Sequence, residues 1–187
     1  SYIENGVPAG LRLVGNPYPS ALDADAFVEA NVATGAITGS LYFWTHNHRL
    51  NGNDYVASDY AIYNSGGGVG VSNGTGNIKD PTQFIPSGQG FFIQNDITSN
   101  VTFNNTMRVG GNNSNFYKIK STKAVERHRI WFSLSNGTSN TSQALVGYGT
   151  GATNGYDAGY DSYVYDDAQA FSFYSFIDAN KMAIQTR

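Results

Sequence analysis

A pair of histidines two residues apart, an aspartate-rich loop and a surplus of aromatic side chains are the parts of this chain whose types and spacing could do chemistry. In His46-x-His48 the two side chains would point the same way if the segment is a strand, so two imidazoles could share a metal ion. A zinc site needs a third protein ligand, and nothing nearby supplies one. Two polar residues at a strand end beside a turn is the plainer reading. Asn154-Gly155-Tyr156-Asp157-Ala158-Gly159-Tyr160-Asp161, continued by Asp166 and Asp167, is the most acidic neighbourhood. Calcium takes roughly six to eight oxygens from carboxylates, amides and carbonyls. That makes Asp157, Asp161, Asp166 and Asp167 the candidate ligands of a structural calcium. The spacing does not match an EF-hand, and a solvated acidic loop is the competing account. No cofactor is required by anything in the sequence.

Enzymatic constellations are missing from the pattern. A glycosidase needs two carboxylates across a cleft. Glu4, Glu29 and Glu126 are the only glutamates, and none lies in a recognisable frame, although an aspartate pair stays open. There is no G-x-S-x-G elbow for a serine hydrolase, and His128 has no evident nucleophile partner. The glycines from 66 to 70 lack the lysine and following helix of a phosphate loop. The expectation is a protein that is not an enzyme.

The aromatic residues offer binding instead. Tyr42, Trp44, Tyr55, Tyr60, Tyr63, Trp131 and the tyrosines between 156 and 165 could form a platform for sugars, with flat faces against the ring and polar edges in water. Trp44, Trp131 and Tyr42 are the candidate ligand-binding residues. Against this stands the ordinary use of aromatics as sheet residues, many of which must fill a core. The N-x-S/T triplets, such as Asn136-Gly137-Thr138, are what chance gives in a chain so rich in asparagine.

The elements that must position these residues are mostly strands. Twenty-two glycines, 13 tyrosines and 11 phenylalanines, with only 13% charged residues, describe short aromatic runs between glycine- and asparagine-rich turns. Strand candidates are 11–15, 40–48, 55–63, 90–94, 100–103, 116–120, 129–135, 143–148, 163–165, 170–177 and 182–185. In 40–48 Tyr42 and Trp44 share one side, and Leu41, Phe43 and Thr45 the other. In 129–135 Ile130, Phe132 and Leu134 share one face, with Trp131 opposite. From Gly66 to about Ser87 the chain reads as a long surface loop. One helix is expected over 20–31, capped by Ser20, with Leu22, Ala26, Phe27 and Ala30 along its apolar face and Asn31 as its stop. Before it, Asn16-Pro17-Tyr18-Pro19 must be extended, and Tyr18-Pro19 is a candidate for a cis peptide. The pattern predicts an all-β, two-sheet antiparallel sandwich of jelly-roll type with that one short helix.

A length of 187 residues suits one domain, so 1–187 is read as a single β-sandwich. Net charge is −3, without a clustered basic face, so nucleic acid is not an expected partner. No apolar run is long enough to span a membrane as a helix. There is no cysteine, hence no disulfide and no thiolate metal site. The ends, SYIENG without a methionine or signal peptide and MAIQTR after a strand-like segment, predict a piece excised from a longer exported polypeptide or a mature form.

Several segments, in order, resemble a known family: LVGNPYPSALDADAF, LYFWTHN, IPSGQGFFI, FNNTMRV, ERHRIWFSLSN, ALVGYGTGATNGYD and MAIQTR. They are similar to a β-rich module of large exported proteins of the Bacteroidota, placed ahead of the C-terminal sorting domain read by the type IX secretion system. The resemblance covers residues 11 to 187. It implies an extracellular or outer-membrane-attached location and an adhesin-like protein, and it implies no catalytic residues. The sorting domain it would place downstream lies outside these residues, as expected after cleavage on export or trimming. The leading expectation is therefore a non-catalytic surface module supporting adhesion or packing against neighbouring modules of the same polypeptide. Alternatives are a carbohydrate-binding module that meets surface glycans through exposed aromatics, and an accessory domain of a secreted hydrolase.

Overall fold

The computed structural model describes residues 3–4, 7–8, 10–45, 59–72, 78–94, 99–114, 128–137, 141–165 and 171–187. In chain order the elements are β1 (Ile3–Glu4), β2 (Val7–Pro8), β3 (Leu11–Gly15), β4 (Ala21–Asp23), α1 (Ala24–Ala33), β5 (Leu41–Trp44) and β6 (Tyr60–Asn64). They continue with β7 (Gly67–Val69), β8 (Val71–Ser72), β9 (Ile78–Lys79), β10 (Phe84–Ile85), β11 (Gly90–Gln94) and β12 (Arg108–Val109). The last are β13 (Arg129–Ser135), β14 (Thr141–Gly147), β15 (Ser162–Tyr163), β16 (Ser175–Ile177) and β17 (Asn180–Thr186).

The fold is all-β and sandwich-like, mostly antiparallel, with a single short α-helix among the described residues. Its middle layer is a five-stranded antiparallel sheet of order β3-β11-β5-β6-β7. Because successive strand side chains point to opposite faces, this sheet feeds two cores. On one face Leu41, Phe43, Ala61, Tyr63, Phe91 and Ile93 pack against Phe27 and Val28 of α1, Leu22 of β4 and Ile85 of β10. Phe27 meets Phe91 edge-on, with ring centroids 5.5 Å apart. On the other face Tyr42, Ile62 and Val69 pack against Leu145, Ala183 and Ile184 of a second sheet. That sheet has the order β13-β14-β17-β15, with β16 also paired to β17. Its β14–β17 pair is parallel, Leu145 opposite Ile184, and interrupts the expected antiparallel pattern. A small sheet, β10-β4-β12, sits beside the helix.

The helix starts later than the sequence suggests. Ala21–Asp23 is extended and pairs with both β10 and β12, so Ser20 is not the cap. Asp23 takes that role, its Oδ1 accepting the N–H groups of Asp25 at 2.9 Å and Ala26 at 3.3 Å. A carboxylate at this position satisfies the otherwise orphaned first donors and favours the positive helix end. Asn31 is not a stop either; the helix runs on to Ala33. Buried Asn31 donates Nδ2 to the carbonyls of Phe27 and Thr102 and accepts the Thr102 N–H at 2.8 Å, clamping the 99–104 segment to the helix. That segment is irregular, followed by a 3-10 turn at Asn105–Met107, where a strand over 100–103 was expected.

Two further expectations change. The Tyr18–Pro19 peptide is trans. Its corner is held by Asn16, whose Nδ2 donates to the carbonyls of Ser20 and Ile85 and whose Oδ1 accepts the Tyr18 N–H. The glycine run that reads as a surface loop is buried and includes β7. A Cβ on Gly68 would collide with the Pro81 carbonyl, and one on Gly67, at φ +146°, would come within 2.6 Å of Leu145 Cδ2. Glycine is needed there because the second sheet comes close to the backbone at 67 and Pro81 to the backbone at 68. His46, His48, the first part of 55–63 and all of 116–120 lie outside the described residues.

Candidate functional site

Among the described residues, the largest departure from ordinary burial is β13. Pairing with β14 places Ile130 opposite Val146, Phe132 opposite Ala144 and Leu134 opposite Ser142, so these apolar residues share the outer face as the alternation predicts. They are 42 to 50% exposed. Phe173 crosses onto the same face: its N–H donates to Ser142 Oγ at 2.8 Å and its ring centroid lies 6.4 Å from that of Phe132. Exposed Phe171 and Phe176 flank it, and Phe176 meets Tyr174 edge-on. Scattered apolar side chains on a surface are ordinary, but a contiguous set along one strand marks an interaction face.

Trp131 faces the other way, toward the middle sheet. It is 39% exposed, yet its indole N–H donates to the Gly68 carbonyl at 2.9 Å. Trp44 is 42% exposed on β5, opposite Tyr60. Tyr42 is 1% exposed, so it offers no face to a ligand and is corrected to a core residue. Its ring packs 5.7 Å from that of Tyr165, and burial pushes both phenols up, that of Tyr165 to about 12. The three residues proposed as a stacking platform therefore do not form one: two tryptophans lie on different sheets and the tyrosine between them is inside.

The aspartate loop is built around its own backbone. Buried Asp161 accepts the N–H groups of Asp157 at 2.7 Å and Thr186 at 2.8 Å. Burial is the main influence on its carboxyl and raises its pKa against those two bonds. Asp157 accepts both the N–H and the hydroxyl of Thr153. Arg187 closes the loop by donating Nη1 to the Thr153 carbonyl at 2.9 Å. Each of the four carboxylate oxygens thus accepts a donor from the chain itself, so the loop is closed by protein groups. Among the described residues no group of three or more His, Asp or Glu side chains could hold a metal ion. Asp166 and Asp167 lie outside the described residues.

A cleft that the sequence does not announce opens between α1 and the ends of the second sheet, with a volume of about 720 Å³. Asp25 and Glu29, one helical turn apart, form one wall. Asp25 Oδ1 is fixed by the Tyr63 hydroxyl at 2.7 Å. His128 and Arg129, at the start of β13, line the cleft with Tyr148 and Tyr160. Arg129 Nη2 donates to the Ser65 carbonyl at 3.2 Å, and the Tyr148 N–H to the His128 carbonyl at 2.9 Å. Tyr148 is 59% exposed, whereas the Tyr160 hydroxyl is tied to the Thr150 carbonyl. The only trace of this site in the sequence is the acidic pair four residues apart on the helix; its other members come from distant segments.

Among the described residues no helix is long and apolar enough to cross a membrane, which leaves spanning by strands unaddressed. No curated protein and no solved structure gives a significant match. A family model described as a domain of unknown function, DUF8693, matches residues 5–187. Since that match takes in nearly the whole chain, the protein belongs to this family.

Proposed function

We propose that this chain is a non-catalytic module of an adhesin-like surface protein exported by the type IX system, and that it packs against a neighbouring module of the same polypeptide through the outer face of β13. The carrying observation is the continuous apolar row Ile130, Phe132 and Leu134, joined by Phe173. Burying such a row against a partner is worth about 25 cal/mol per Å² of apolar surface, which free solvent forfeits. The ordered resemblance of residues 11–187 to modules of exported Bacteroidota proteins supports an extracellular or outer-membrane-attached location. Net charge of −3 and the lack of a basic run favour a protein partner over nucleic acid.

Hydroxyl-radical footprinting of Phe132, Leu134 and Phe176 tests the packing, comparing the isolated chain with the whole exported protein. Labelling several-fold lower in the whole protein is expected. Equal labelling in both would remove the packing role. Protease shaving of intact cells, with and without the type IX machinery, tests the location. A second reading, glycan binding through the exposed aromatics, keeps Trp44, which is half-exposed on β5, although Tyr42 no longer belongs to it.

A further inference from the structure

The cleft between α1 and β13–β14 differs in character from the apolar face beside it. Its volume of about 720 Å³ lies within the roughly 300–1,000 Å³ range of small-ligand sites. The lining combines acceptors on one wall, the carboxylates of Asp25 and Glu29, with the guanidinium of Arg129 and the imidazole of His128 on another. Tyr148 stands at the cleft largely exposed, its backbone pinned by the His128 carbonyl. That bond places the Tyr148 backbone at the cleft mouth and leaves its ring face open to a ligand.

Those parts narrow the ligand by chemistry. Two carboxylates beside a single arginine repel phosphate, nucleic acid and other anions. A bare cation finds too few ligands among the described residues. A purely apolar molecule would strip water from charged heads without replacing their bonds. An extended peptide gains most by joining a sheet edge along its length, and here, among the described strands, only the terminal residues Arg129 of β13 and Thr186 of β17 reach the cleft. A neutral sugar satisfies all of them. Its hydroxyls donate to carboxylates and accept from arginine, and its C–H face lies against an aromatic ring.

We propose that this cleft binds a neutral sugar ring of a glycan, with Tyr148 as the stacking face, Asp25 and Glu29 accepting from ring hydroxyls, and Arg129 donating to them. Asp25 is held by Tyr63 and Arg129 by Ser65, so both present fixed geometry to the ring. This site is separate from module packing, and from the tryptophans first considered for sugars.

The test is an array of neutral oligosaccharides, with each hit titrated by calorimetry against the protein and the variants Tyr148→Ala, Glu29→Gln and Trp44→Ala. Tyr148 and Glu29 are exposed, so their replacement leaves the cores intact, which circular dichroism melts verify. Binding that weakens about ten-fold or more in Tyr148→Ala, loss of some 1.4 kcal/mol, supports the site. A smaller loss in Glu29→Gln and no change in Trp44→Ala are expected alongside. No binding to any neutral glycan overturns the proposal. So does binding that survives Tyr148→Ala but is lost in Trp44→Ala, which would move the sugar to β5.

Discussion

Trp131 of β13 donates its indole N–H to the carbonyl of Gly68 of β7, 2.9 Å away, and so ties the edge of the second sheet to the edge of the middle one. The bond depends on the glycine run, since a side chain at 67 would press on Leu145 and Arg129 of the second sheet and one at 68 on Pro81. Trp131→Phe keeps most of the ring and deletes the donor. Urea denaturation should show a loss of about 1 kcal/mol, with an unchanged slope. Gly68→Ala would drive a Cβ into the Pro81 backbone and should give little soluble folded protein.

Helix capping separates two residues that the sequence leaves in competition. Asp23→Ala removes the acceptor of two first-turn N–H groups and should cost about 1 kcal/mol. Ser20→Ala should stay within about 0.5 kcal/mol, because among the described residues its hydroxyl meets the Ala21 carbonyl and the exposed Arg108 side chain alone. Paired thermal melts of the two variants read the difference directly. Equal losses would mean that the helix begins at Ser20 in solution.

Asp80 carries a pH dependence of unusual sign. Burial pushes its carboxyl from 3.8 up to about 6, partly opposed by the N–H of Gly70, which donates to it at 3.1 Å. A carboxyl that holds its proton more tightly when folded makes the folded state lose stability as pH rises through that window. The cost is absent below pH 3.8, where both states are protonated, and complete above about 6. Asp80→Asn keeps an acceptor for Gly70 and removes the charge. It should raise stability by about 1–2 kcal/mol at neutral pH and change nothing in strong acid, as denaturation midpoints across the range will show.

The aspartate loop should prove independent of metal. Asp157 and Asp161 already accept backbone and hydroxyl donors, so a chelator is expected to leave the melting midpoint where it was. A midpoint that falls with chelator and returns with calcium would restore the cation site, with Asp166 or Asp167 completing it. Asp161→Ala, by contrast, should cost about 2 kcal/mol or more by orphaning the N–H groups of Asp157 and Thr186.

Alternation made much of this architecture readable in advance. Leu41 and Phe43 do face one core and Tyr42 the other, and Ile130, Phe132 and Leu134 do share a face. What alternation could not say is how many layers there are. Tyr42 reads as a surface aromatic only if one side of its strand meets water, and here a second sheet covers it. The glycines at 66–68 look like a loop for a similar reason. Their role is to have no side chain where β14 and Pro81 approach, and that requirement is set by residues far along the chain. The cleft is hidden in the same way, since Glu29, Arg129 and Tyr148 meet only through the fold. The resemblance to exported modules spoke to location and offered nothing about any of these contacts.

The parallel pairing of β14 with β17 bears on the order in which the protein can assemble. β17 takes β14 and β16 end to end on one side and β15 on the other, so the middle of the second sheet is supplied after all the other described strands have been made. The helix-side core draws on residues no later than Met107 and can form without it. Until residues 180–186 arrive, the β13–β14 hairpin holds apolar side chains on both faces with nothing to complete its sheet. Completion of the second sheet, and of the core between it and the middle sheet, therefore waits on the last described strand.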